Sequence, residues 1–108
     1  MALQDSLMIL WINTSDRKKI EVALKKEGEI VNSKFAENDF GSQVLLNLII
    51  DILKEKNLKF SDLRGIEIEK GPGSYTGLKV GASVANALGF SLSIPVNGKD
   101  METDLVYA

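Results

Sequence analysis

Gly71-Pro72-Gly73-Ser74-Tyr75-Thr76-Gly77-Leu78-Lys79-Val80-Gly81 is the densest run of small and turn-forming residues in the chain. It follows Gly65 to Lys70, where Ile66 and Ile68 alternate with Glu67 and Glu69 as in a strand. It opens into a segment with helical spacing. Pro72 and Gly73 stand at the second and third positions of a turn, which predicts type II geometry with the positive φ at Gly73. Ser74 or Thr76 then caps the helix. The N–H groups at such a helix start suit an anion, but neither common phosphate pattern is complete. A P-loop needs Gly-Lys-Ser/Thr where this chain has Leu78-Lys79-Val80. The dinucleotide fingerprint needs glycine where Thr76 stands, and the next strand-like segment, Ser91 to Val96, has no acidic residue for a ribose. A tight strand-to-helix corner is the better reading of Gly71, Pro72, Gly73, Ser74, Tyr75 and Thr76.

Upstream, Leu7 to Ile12 is continuously apolar and reads as a strand buried on both faces. Asn13 to Arg17 is turn-like. Ile20 to Lys25 alternates with period two, and Glu29 to Phe35 is a weaker third strand beyond the Glu27-Gly28 turn. Their close spacing makes an antiparallel meander. Ser42 is the expected N-cap of a helix from Gln43 to about Lys56, with Asn57 as its stop. Downstream, a second helix runs from about Thr76 to Leu88 with Gly89 as its C′ residue, and Ser91 to Val96 forms a fifth strand. Strand–helix–strand crossovers demand parallel pairing, so the expectation is an α/β domain with a mixed five-stranded sheet and two crossover helices. The stretch from Asn97 on has no clear period. Residues 1–98 are read as the domain and 99–108 as a tail.

The length of 108 residues suits one compact domain. The net charge of −2 supplies no bulk attraction to nucleic acid, so an RNA would be contacted through another chain. The chain has no cysteine, hence no disulfide framework or thiolate metal site. It has no histidine, which excludes imidazole ligands, a histidine base and a Ser/His/Asp triad. No catalytic constellation, metal site or cofactor is expected. The apolar runs are too short or too interrupted to span a bilayer, and Met1 to Ser6 lacks a basic region before an apolar stretch, so a soluble cytoplasmic protein is expected.

Two features point to a docking surface. Val44, Leu45, Leu46, Leu48, Ile49, Ile50, Ile52 and Leu53 cover more of the first helix than one stripe of about 100°. Gly77, Gly81 and Ala85 lie four apart on one face of the second helix, where a glycine costs roughly 0.5–1 kcal/mol against alanine. Either the glycines pack on the domain's own sheet and first helix, or they let another chain's helix come close. The second reading selects Val44, Leu45, Leu48, Ile49, Ile52, Gly77, Leu78, Gly81 and Val84 as a partner interface.

The run from Gly71 to Gly81 resembles the signature of the bacterial TsaB (YeaZ) family, GPGS-aromatic-TGL-basic-hydrophobic-G. Ile9 to Ser15, Phe60 to Leu63 and Leu88 to Pro95 are also similar to that family, so the resemblance spans roughly Leu7 to Val96. It implies a ribonuclease H-like domain of the actin/Hsp70/sugar-kinase type. It also implies a role in tRNA threonylcarbamoyladenosine biosynthesis as a non-catalytic subunit. Such a subunit pairs through its two N-terminal-domain helices with a catalytic TsaD-type paralogue that carries a histidine-bound metal. A TsaE-type ATPase joins them, and tRNA is reached only through the complex.

The chain departs from the family pattern at Asn13, where the usual aspartate of ATP-using relatives would help hold magnesium, and at Gly41, where a histidine often stands. Family members usually have two similar domains, and this chain matches the first. A stand-alone half implies that the sheet face bearing Glu21, Lys25, Glu67 and Glu69 is open to water. Two alternatives accompany the partner reading: a homodimeric interaction module outside the pathway, and a small nucleotide-binding module using Gly71 to Thr76 with Asn13, Thr14 and Ser15. Homodimerisation is expected of the isolated chain in either interaction reading.

Overall fold

The computed structural model describes Met8–Ala108. Leu7, the expected start of the first strand, lies outside these residues, as does the segment from Met1 to Ser6. The elements run β1 (Met8–Asn13), β2 (Lys19–Lys26), β3 (Glu29–Glu37), α1 (Ser42–Glu55), β4 (Leu63–Ile68) and α2 (Tyr75–Leu92). The sheet order is β3-β2-β1-β4. The first three strands form the expected antiparallel meander, and β4 returns parallel to β1, with Leu10 opposite Ile66 and Ile12 opposite Ile68. The Glu27-Gly28 turn joins β2 to β3 with positive φ at both residues, the geometry that suits a two-residue hairpin.

Both helices cover one face of the sheet. Met8, Leu10 and Ile12 of β1 and Ile20, Val22 and Leu24 of β2 point into the core, where they meet Leu45, Ile49 and Ile52 of α1 and Ala82, Val84 and Ala85 of α2. Burying one such large aliphatic side chain stabilises the fold by roughly 1.5–3 kcal/mol. The expectation that β1 is buried on both faces is corrected. Ile9 and Trp11 are only half-buried, and the face they share carries charged side chains. On that face Lys25 pairs with Glu67 at 3.0 Å and stands 5.9 Å from the Trp11 ring, and the Trp11 indole donates to Glu69 at 3.3 Å. Glu67 and Glu69 are exposed, as expected.

Two element ends differ from the sequence expectation. Ser42 is the first residue of α1, not its cap; Gly41 precedes it and no side chain caps the helix. Gly89 does not end α2. It lies buried inside the helix, and a Cβ there would meet Val96 Cγ2 at 2.7 Å, so its smallness admits the returning chain. The helix ends instead at Ser93, which is left-handed. The Ser93 N–H donates to Phe90 and the Ile94 N–H to Gly89, in the Schellman pattern, with Pro95 following.

That longer helix removes the expected fifth strand. The described residues form a four-stranded sheet, and Ser91 and Leu92 belong to α2. What remains is a stub on the β4 edge. The Ile66 N–H donates to Pro95 at 2.9 Å and the Asn97 N–H to Ile66 at 2.8 Å, a single parallel bridge at Val96. The Asn97 side chain then continues the ladder. Its Oδ1 accepts from the Ile68 N–H at 2.8 Å and its Nδ2 donates to the Ile68 carbonyl at 3.2 Å, replacing the next peptide group.

Residues 99–108, expected as a tail, are bonded back onto the domain. Glu102 is 1% exposed, and the Val106 N–H donates to the Lys70 carbonyl at 2.7 Å. Asn86 of α2 holds Glu102 at two points, accepting from its N–H at 2.8 Å and donating to its carbonyl at 2.9 Å. Sequence periodicity missed this because the attachment is polar and irregular.

Candidate functional site

The glycine run is a strand-to-helix corner, but not the expected type II turn. The positive φ, +108°, sits at Gly71, the Gly71–Pro72 peptide is cis, and Gly73 is not in the positive-φ region. Gly73 is needed for a different reason: a Cβ there would lie 2.6 Å from the Ser15 carbonyl oxygen. The Ser74 N–H donates to that same oxygen at 3.0 Å, and the Gly73 N–H donates to Val106 at 3.2 Å. Two of the N–H groups that a phosphate cradle would offer are thus already bonded to protein carbonyls. Ser74 caps α2, its Oγ accepting from the Gly77 N–H at 3.2 Å, while Thr76 lies exposed in the first turn.

The small face of α2 packs within the chain. A Cβ at Gly77 would stand 2.1 Å from the Thr14 carbonyl oxygen, and one at Gly81 2.3 Å from Thr14 Oγ1. These glycines let α2 press on the chain just after β1, so their selection for a partner helix is corrected. Leu45, Leu48, Ile49, Ile52, Leu78 and Val84 are corrected too: each is buried in the domain's own core and has no side chain free for another protein. Val44 is half-buried.

The surface left over lies on the other side of the helices. Leu46 and Ile50, one turn apart on α1, are half-buried and 37% exposed respectively. Across from Leu46, Ser83, Ala87, Leu88 and Ser91 of α2 line a shallow groove of about 240 Å³ whose floor is Val84. The signal was present in the sequence. If Leu45, Ile49 and Ile52 face the sheet, the excess apolar positions are Leu46 and Ile50, which share a different face at i,i+4 spacing.

Thr14 and Ser15 meet the glycine run, whereas the Asn13 side chain is engaged with Ser15. Asn13 Oδ1 accepts from the Ser15 N–H at 3.0 Å and from Ser15 Oγ at 2.6 Å. Thr14 is 2% exposed beneath Gly77 and Gly81. Beside them lies a cleft of about 300 Å³ bounded by Arg17, Ile20, Phe40, Thr76 and Val80. Its Asp16 carboxylate accepts from the Lys18 N–H at 2.7 Å. Lys79 extends 6.0 Å from the Tyr75 ring. Glu55 of α1 accepts from Lys34 and Asn32 of β3. The Lys34 hydrogen bond holds its carboxyl below the usual range. Among the described residues, no group of three histidine, cysteine or acidic side chains stands close enough to hold a metal ion.

The fold is shared with solved proteins. YeaZ from Pseudomonas aeruginosa superposes with a TM-score of 0.74 at 31% identity over 82% of this chain and 41% of its own. A Bacteroides thetaiotaomicron protein described as having an actin-like ATPase fold superposes with a TM-score of 0.55 at 9% identity, over 88% of this chain and 35% of its own. The architecture is therefore that of an actin-like α/β domain. The match to a family model is more specific. Residues 28–98 fit the one described as TsaD, tRNA N6-adenosine threonylcarbamoyltransferase. The tRNA threonylcarbamoyladenosine biosynthesis protein TsaB of Haemophilus influenzae is 31% identical over 84% of this chain and 38% of its own length. The chain belongs to this TsaD/TsaB (YeaZ) family. It spans less than half the length of the curated relatives it matches. No helix among the described residues is long and apolar enough to cross a membrane.

Proposed function

We propose that this chain is a non-catalytic docking subunit in tRNA threonylcarbamoyladenosine biosynthesis. In this reading it seats a TsaD-type paralogue on the outer face of α1 and α2. The observation that carries it is the apolar strip of Leu46, Ile50, Ala87 and Leu88, where Ile50 and Ala87 are exposed and Leu46 and Leu88, though packed against the core, keep part of their surface outward. The contacting residues are then these, and the buried set beneath them supports their spacing. The partner role is preferred to the transferase role because the TsaB and YeaZ matches extend over more than four-fifths of the chain and the sequence has no histidine. A TsaE-type ATPase joins the assembly, and tRNA meets it through the other subunits, in line with the net charge of −2. The site of action is the cytoplasm.

The test is co-purification of the chain with a TsaD-type paralogue, using wild type and the Ile50→Glu, Ala87→Glu double variant. A charge in the centre of an apolar interface should weaken binding at least about tenfold, with the melting temperature of the free chain little changed. Binding that survives the double variant rejects this face. The same strip suits a second copy of the chain. Light scattering of the isolated wild type should then report a dimer that the double variant converts to monomer.

A further inference from the structure

Glu102 and Thr14 are the two buried polar side chains among the described residues. A buried carboxylate is costly unless hydrogen-bonded, and the surroundings of Glu102 fill both of its oxygens. Asn97 Nδ2 donates to Oε1 at 2.7 Å, while Lys99 Nζ and the Asp104 N–H donate to Oε2 at 2.9 Å and 3.0 Å. With Asn97 bonded to Ile68 and Asn86 bonded to the Glu102 backbone, this cluster fastens the C-terminal segment to β4 and α2 together.

From that fastening the segment runs along the glycine corner. Val106 lies between Lys70 and Gly73, accepting from the Gly73 N–H, and the Ala108 N–H donates to the Gly73 carbonyl at 2.9 Å. The Tyr107 ring packs against Tyr75 at a tilt of 50°, with centroids 4.6 Å apart. A Cβ at Gly71 would fall 1.9 Å from the Val106 carbonyl oxygen, so glycine there admits the segment. Val106 and Tyr107 are about half exposed, so the apolar anchoring of this stretch is confined to the half-buried Leu105, which packs against the core. The corner is thus a layer between two backbones, Ser15 on one side and Val106 to Ala108 on the other.

We infer that Glu102 to Ala108 form a latch keyed by Glu102, and that this latch, more than the turn residues themselves, holds Gly71 to Ser74 against Ser15. Its release frees both Gly73 backbone groups and turns the corner into an unpaired extended edge. The inference stands apart from the reading of the outer helix face.

The experiment is amide hydrogen exchange on the full chain, comparing wild type with Glu102→Gln and Asn86→Ala. The first variant turns an amide NH₂ toward donors, and the second removes the clamp while keeping the carboxylate. The Ser74 amide is the decisive probe, because it bonds to Ser15 and not to the latch. Expected are exchange rates about tenfold or more above wild type at Val106, Ala108 and Ser74, with amides of β1 and β2 still protected. Acceleration at Val106 and Ala108 with Ser74 unchanged overturns the inference, because the corner then stands without the latch. No change at any of the three overturns it as well. Should Glu102→Gln also lose protection in β1 and β2, Asn86→Ala decides by the same three amides.

Discussion

The two helices lie side by side on one sheet face yet are held there by opposite means. Helix α1 stands off the sheet on bulky side chains, with Leu45, Ile49 and Ile52 fully buried beneath it. At its N-terminal end α2 has almost no standoff, because Gly77 and Gly81 bring its backbone against Thr14. Polar groups on the return segment hold it as well, through Asn86 and Glu102. A contact made of side chains deforms gradually when changed. A contact made of backbone has no room to deform, so one methyl group is a collision.

This contrast is broken most severely at Gly77. Gly77→Leu places its Cβ on the Thr14 carbonyl, a backbone atom that cannot rotate away. We expect a loss of about 3 kcal/mol or more, with a urea transition that is also less steep because α2 is forced off β1. Wild-type stability in this variant would show that α2 is free to lift from β1. Ile49→Ala, the corresponding test of α1, should cost about 3 kcal/mol while preserving a cooperative transition, because a cavity leaves the helix in place.

Acid should act on the α2 side. Burial pushes the Glu102 carboxyl up, but the hydrogen bonds from Asn97, Asp104 and Lys99 outweigh it and hold the group down at about 2. A carboxyl depressed in the folded state contributes stability that is complete above its unfolded value, near 4.5, and is lost as pH falls towards 2. The contribution is about 3 kcal/mol. Denaturation followed from pH 5 to pH 2 should show this slope in wild type and a shallower one in Glu102→Gln. Equal slopes would remove Glu102 from the account of how α2 is held.

A smaller effect sharpens the comparison within α2. At Gly81 the neighbour is a hydroxyl, Thr14 Oγ1, and not a carbonyl. Gly81→Ala should therefore cost about 2 kcal/mol, and Thr14→Ala added to it should recover part of that loss in a double-mutant cycle. Additive losses would mean that the collision lies elsewhere.

Much of this was readable from residue order. Alternation placed β2 and β4, and the turn residues separated the strands of the meander. The run from Gly71 to Gly81 marked both the corner and the family. Sequence reading failed where one residue type serves two purposes. Gly89 looked like a helix stop, but it is a seat for Val96. The apolar surplus of α1 was visible, but the choice between Leu45 and Leu46 as the outward residue depends on how the helix is rotated on the sheet. Glu102 carried no signal, since its donors come from positions 97, 99 and 104 in an aperiodic stretch.

By itself the sequence determined the meander, the two helices, the parallel return of β4, the absence of histidine and cysteine, and the family resemblance. These follow from local periodicity, composition and a contiguous motif. Only the tertiary structure decided which faces of α1 and α2 are spent on the core, that Gly77 and Gly81 serve Thr14, and that the last residues fasten the corner. Those outcomes depend on close approaches between segments far apart in the chain, where a few tenths of an ångström separate contact from collision.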